Sequence, residues 1–317
     1  MRKFLAIVLM AMTLVACDSE IPTTPSLEIS FASQLSRSMV NGVEGLRAQQ
    51  ISIYASYTYD GGSARVFDAE RLYYDASIPA WDYDHPQYWL MGAYYSFCAV
   101  SPYTINGTYA DRGELMVSGY ESYTGAPDLL YAAAVRDLTN VDDFSTVNLR
   151  FRHACAGVQF SIVNGSSSVL TDVRNIRLVG IHNKGDFSFR ADGTSMWSFT
   201  GAVLPAESDV HPFAGVCVLP NGGLPVNIAV EHPLYENGAV LVLPQTIYKS
   251  TATLHLEYKK QGDSEYAVRN IELGMLGGST PTEWKAGELY KYKLNITDNT
   301  ITAEVKVIDW IDHYVDL

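Results

Sequence analysis

The chain has 317 residues, 47% of them apolar and 18% charged, a balance that builds a sizeable core and excludes a disordered or linker protein. Its 35 acidic residues against 22 lysines and arginines leave a net charge of -13, which repels a phosphate backbone and argues against nucleic acid as a partner. With 21 tyrosines, 24 glycines and 13 prolines, strands and turns are favoured over helices, and the length suits two β-domains.

Residues 1–16 read as a signal peptide. Arg2 and Lys3 form a basic start, and Phe4 to Val15 is an apolar run too short for a transmembrane helix of ~20 residues. Leu14-Val-Ala-Cys17 resembles the lipobox of bacterial lipoproteins. That resemblance implies lipid on Cys17 and an anchor in the outer membrane. Residues 17–26 are polar and proline-bearing, a tether rather than a core element.

The first strand follows. Leu27, Ile29, Phe31 and Leu35 share one face, with Glu28, Ser30 and Gln34 on the other. Arg37 and Arg47 lie in the link to the next strand, which opens at Ile51 and Ile53, and Gly42 to Gly45 makes that link flexible. Trp81-Asp-Tyr-Asp-His-Pro-Gln-Tyr-Trp89 reads as an aromatic loop or edge. Leu129 to Val135 fits a strand as well as a short helix. The polar stretch Asp137–Ser145 marks a seam, giving one β-sandwich domain over 27–144 and a second over 145–317.

Beyond the seam the alternation is clear. Val147, Leu149 and Phe151 come first, then Val158, Phe160 and Ile162, then Val226, Ile228 and Val230, then Leu254, Leu256 and Tyr258. Tyr290, Tyr292, Leu294 and Ile296 lead through the turn Asp298-Asn299 to Ile301, Ala303, Val305 and Val307. After Trp310 the residues Ile311, His313, Val315 and Leu317 alternate again.

Catalytic motifs are missing from the sequence. There is no GxSxG, no HExxH and no EF-hand loop, and Gly180-x4-Gly185 runs into Asp186-Phe187 where a phosphate loop needs Lys and Ser/Thr. The seven histidines never pair at ligand spacing; His153 reads as structural and His255 as part of a polar strand face. Besides Cys17 the cysteines are Cys98, Cys155 and Cys217, an odd number in apolar settings. They suit buried thiols, with at most one bridge and no zinc spacing. The reading is of a protein that is not an enzyme, with no cofactor and no metal.

Several motifs then occur in order: Leu27-Glu-Ile-Ser-Phe31 with an arginine-bearing loop, Tyr94-Tyr-Ser-Phe-Cys-Ala-Val-Ser-Pro102, Pro127-Asp-Leu-Leu-Tyr131, Leu149-Arg-Phe-Arg-His-Ala-Cys-Ala-Gly-Val158, Trp284-Lys-Ala-Gly-Glu-Leu-Tyr-Lys-Tyr292, and Val305-x-Val307-x-x-Trp310. Together they resemble the fimbrillins of Bacteroidota, lipoprotein precursors of pilus subunits. The resemblance implies an all-β fold of two transthyretin-like β-sandwich domains in tandem, on the cell surface. It also implies that an arginine-specific protease cuts after Arg37, or failing that Arg47. The strand bearing Leu27, Ile29, Phe31 and Leu35 is then displaced, and a neighbouring subunit supplies its replacement by strand addition. The competing expectation is a non-polymerising surface lipoprotein that binds host protein or glycan through exposed Trp81, Tyr83, Tyr88 and Trp89.

Overall fold

The structure is a computed structural model that describes residues 27–35, 42–110, 112–205, 211–236, 238–248, 251–276 and 280–310. The signal peptide, Cys17, the tether, Arg37 and the alternating residues after Trp310 lie outside them. The fold is all-β, as the alternation requires.

The first half contains β1 (Phe31–Leu35), α1 (Gly42–Gln49), β2 (Ile51–Tyr59), β3 (Gly62–Asp75), β4 (Ala80–Asp82), β5 (Tyr94–Ser101), β6 (Thr108–Ala110), β7 (Glu114–Glu121), β8 (Leu130–Asp137) and β9 (Val147–His153). Seven of these close into a barrel in the order β1-β4-β3-β2-β5-β8-β9, with β1 as the stave that joins β4 to β9. Ile51, Ile53, Phe67, Leu72, Phe97, Leu149 and Phe151 fill it. The early residues of β2 and nearly all of β5 are covered on both faces, so Ser52, Ser56, Ser96 and Ser101 are buried along with their apolar neighbours.

The second half contains β10 (Ala156–Asn164), β11 (Leu170–Val179), β12 (Lys184–Arg190), β13 (Ser195–Phe199), β14 (Ala214–Gly215), β15 (Asn227–Pro233), β16 (Ala239–Val242), β17 (Gln245–Thr246), β18 (Thr253–Lys260), β19 (Ala267–Glu272), β20 (Glu283–Trp284), β21 (Glu288–Ile296) and β22 (Ile301–Asp309). Two sheets, β15-β10-β21-β22 and β14-β11-β18-β19, share a core that includes Phe160, Leu178, Leu254, Tyr258, Trp284 and Tyr292. Val226, Ile228 and Val230 flank or belong to β15 as the alternation predicts, but all three side chains are exposed.

Two expectations need correction. The division at 144/145 cuts through paired structure: β9 lies beyond it yet closes the N-terminal barrel, and β12 pairs with β7 along Arg190↔Glu114 to Lys184↔Glu121. Polar composition marked a surface loop there, not a boundary between cores. Next, the glycine-bearing link, expected to be flexible, contains helix α1. Eight residues are too few to hold a helix alone in water; Leu46 is fully buried in the barrel core, and that tertiary contact holds it. Cys98, Cys155 and Cys217 are free thiols, which the expectation of at most one bridge allows; Cys98 and Cys155 are buried and Cys217 is half-buried.

Candidate functional site

The slot between β4 and β9 is where the first strand sits. Its upstream end is tied by main-chain bonds: Ile29 N–H donates to Gln87 O and Trp89 N–H to Leu27 O, each at 2.8 Å. Val147 N–H donates to Ser30 O at 2.8 Å, and the Ser30 and Thr146 hydroxyls lie 3.0 Å apart. Within β1 the two neighbours differ. The strand runs parallel to β9 over five residues, from Phe31↔Val147 to Leu35↔Phe151, but meets β4 only at Phe31↔Trp81.

Side chains set the register. Ile29 and Phe31 point inward, and Val147, Leu149 and Phe151 are the inward row of β9. The Phe31 ring stands edge-on to three others, with centroids 5.6 Å from Phe67, 5.8 Å from Tyr83 and 6.0 Å from Phe97. Such edge-to-face pairs add about 0.5–1.5 kcal/mol beyond the area they bury. The Tyr83 hydroxyl donates to Ile29 O at 2.6 Å and accepts from Gln87 N–H at 3.4 Å. Burial pushes its phenol up to about 12. Leu27 lies at the rim, 38% exposed, and does not share the burial of Ile29 and Phe31.

The first strand and the aromatic cluster, separate in sequence, are one site. Trp81, Tyr83 and Trp89 are buried, and Tyr88 alone of the four is open to solvent, at 62% exposure. The expectation of an exposed aromatic patch is therefore corrected. The loop folds inward because its rings complete the barrel core: Trp89 packs 4.8 Å from Tyr95, and Trp81 packs 5.8 Å from Tyr74. Phe67 and Phe97, the other two walls around Phe31, were not singled out from sequence. Phe97 lies within the motif Tyr94–Pro102, but its strand is buried on both faces, so no alternation marks the side that faces Phe31.

Arg47 is not a loop arginine. It stands in the last turn of α1, half-buried, with its guanidinium 3.9 Å from the centre of the Tyr74 ring.

A second polar site lies where β9 meets the end of β22. His153 is buried, with Nδ1 2.8 Å from Asp128 Oδ2, a close approach without hydrogen-bond alignment. Beside it opens a cleft of about 470 Å³ lined by Tyr131, Arg152, His153, Gly287, Glu288 and Asp309. Among the described residues no group of three or more side chains could hold a metal ion.

A comparison with curated proteins gives no match. Among solved structures, the chain is similar to a fimbrial protein from Bacteroides vulgatus, with a TM-score of 0.60 at 16% identity over 89% of this chain and 99% of that one. It is also similar to a protein from Bacteroides uniformis assigned to cell adhesion (TM-score 0.55, 17% identity, 91% and 99% covered) and to one so assigned from Bacteroides ovatus (0.52, 14%, 90% and 98%). At these identities the likeness is one of fold. A family model described as fimbrillin-like matches residues 39–310, most of the chain. On that match, the chain belongs to the fimbrillin-like family.

Proposed function

We propose that the chain is a surface subunit of a fimbria with a part in adhesion, carried to the outer membrane as a lipoprotein through Cys17. Cleavage after Arg37 frees residues 27–35, and a strand from a neighbouring subunit takes their place. The protein works by assembly, not by chemistry.

One observation carries this reading. The first strand closes the barrel, yet within β1 it meets β4 at a single residue pair, so its departure opens a slot while the other six staves stay paired in sequence. What it leaves behind is an apolar trough with main-chain groups on both lips, the setting in which strand addition is favourable. Burying Ile29 and Phe31 is worth ~1.5–3 kcal/mol each, enough to hold either the resident strand or its replacement. Arg47 is the weaker cleavage site, because a protease needs extended chain and Arg47 is helical and stacked on Tyr74. Family membership and the likeness to a fimbrial protein support the surface role.

The test is the mature N-terminus of protein sheared from its native cells, read by mass spectrometry. A start at Ser38 supports removal of the strand. Lipid-modified Cys17 with residues 27–35 retained overturns it and leaves an anchored, unpolymerised lipoprotein.

A further inference from the structure

The inward row of the first strand is uneven. Ile29 and Phe31 are buried, but the next place in the row is Ser33, level with Leu149 in the parallel register. Its hydroxyl oxygen is buried and has no hydrogen-bond partner among the described residues. Val147, Leu149 and Phe151 alongside are all buried hydrocarbon. A hydroxyl taken out of water without a partner costs free energy that an apolar group in the same place does not. The resident strand therefore fits the slot well at Phe31 and poorly two residues later.

We infer that the slot between β4 and β9 binds an extended segment of another chain that carries an aliphatic, an aromatic and a second aliphatic residue at alternating positions. These match the places of Ile29, Phe31 and Ser33. The inference rests on the reading that residues 27–35 leave the barrel, and it names what replaces them. Two features of the slot select this pattern, and a third holds whatever strand lies there. Phe67, Tyr83 and Phe97 present faces and edges to one ring, and an aliphatic side chain there forfeits those contacts. Leu149 offers an apolar neighbour where the resident strand brings a hydroxyl. The Tyr83 hydroxyl and Val147 N–H bind main-chain carbonyls, so they add affinity to any strand without choosing among sequences. Ser33 makes the resident strand replaceable by a better-matched one.

Peptide exchange on the full chain tests this. A protease site placed between Leu35 and Gly42 is cut, and labelled nonapeptides of the sequence Leu27–Leu35 compete with the resident strand. The set comprises the native peptide and its Ser33→Ala, Ser33→Val and Phe31→Ala variants. The Ser33→Val peptide is expected to bind about tenfold more tightly than the native one, with Ser33→Ala between them, and Phe31→Ala about a hundredfold more weakly. If both Ser33 variants bind no better than native, or Phe31→Ala binds equally well, the inference falls while strand removal stands. If no peptide, native included, replaces the resident strand, the removal of residues 27–35 is itself overturned.

Discussion

His153 lies flat against Trp310, with ring centroids 4.4 Å apart and planes 9° from parallel. His153 ends the barrel strand β9, and Trp310 follows the last strand of the second half, so the stack joins the two. Trp310 is buried and its main-chain N–H donates to Gly287 O at 3.0 Å. Trp310→Ala should therefore cost about 3–5 kcal/mol, read as a lowered denaturant midpoint. A loss under ~1 kcal/mol would mean the ring is not part of the core.

Gly157 faces the same ring. A Cβ there would stand 2.7 Å from the Trp310 ring edge and 2.9 Å from Leu289 Cδ1. Gly157→Ala should destabilise by about 1–3 kcal/mol through overpacking and shift the tryptophan emission. Unchanged emission and stability would show that the neighbours give way freely.

Phe31→Ala should cost about 3–5 kcal/mol in the intact chain, since the ring is buried among three others. Leu27→Ala, at the exposed rim, should stay within about 0.5 kcal/mol. Equal effects in denaturant titrations would refute this division of the first strand into anchor and rim.

Alkali should loosen the fold in a defined window. Burial pushes the Tyr83 and Tyr109 phenols up to about 12, so the folded state holds their protons where an unfolded tyrosine, near 10, has lost them. The stability from this difference is fully present below about pH 10 and is lost as pH rises through 12. Tyrosinate absorbance followed beside circular dichroism checks it. The prediction fails if stability is level from pH 9 to 12.

The thiols should be inert in the folded protein. Burial pushes Cys98 up to about 12 and Cys217 to about 11, and it raises Cys155 as well. Thiolate is the reactive form, so iodoacetamide at pH 8 should modify none of them quickly, and half-buried Cys217 first. Mass spectrometry of native against urea-treated protein gives the comparison, and rapid labelling of Cys98 or Cys155 would contradict their burial.

The first strand was legible because two of its apolar residues are inward-facing and period two has no competing explanation. The aromatic run from Trp81 to Trp89 reads as exposed for a physical reason. Its aspartates, proline and histidine are what a surface loop carries, while the cavity that takes in Trp81, Tyr83 and Trp89 is walled by Phe31, Phe67, Tyr74 and Tyr95 from elsewhere in the chain. The seam at residue 144 failed likewise, since pairing of β9 with β1 across more than a hundred residues leaves no local mark. Helix α1 was invisible because Leu46, not any periodic stripe, holds it. Ser33 breaks the apolar alternation of the first strand, a mark that is legible in the sequence.

The five residues of β1 lie side by side with five of β9 and run in the same direction. A pull along that axis strains the main-chain bonds of the pair together, in shear, rather than peeling them apart one after another. If a neighbour's strand occupies the same place, each junction of the fibre carries tension across several bonds at once. Flow over a cell surface would then stretch such a fibre without unzipping it.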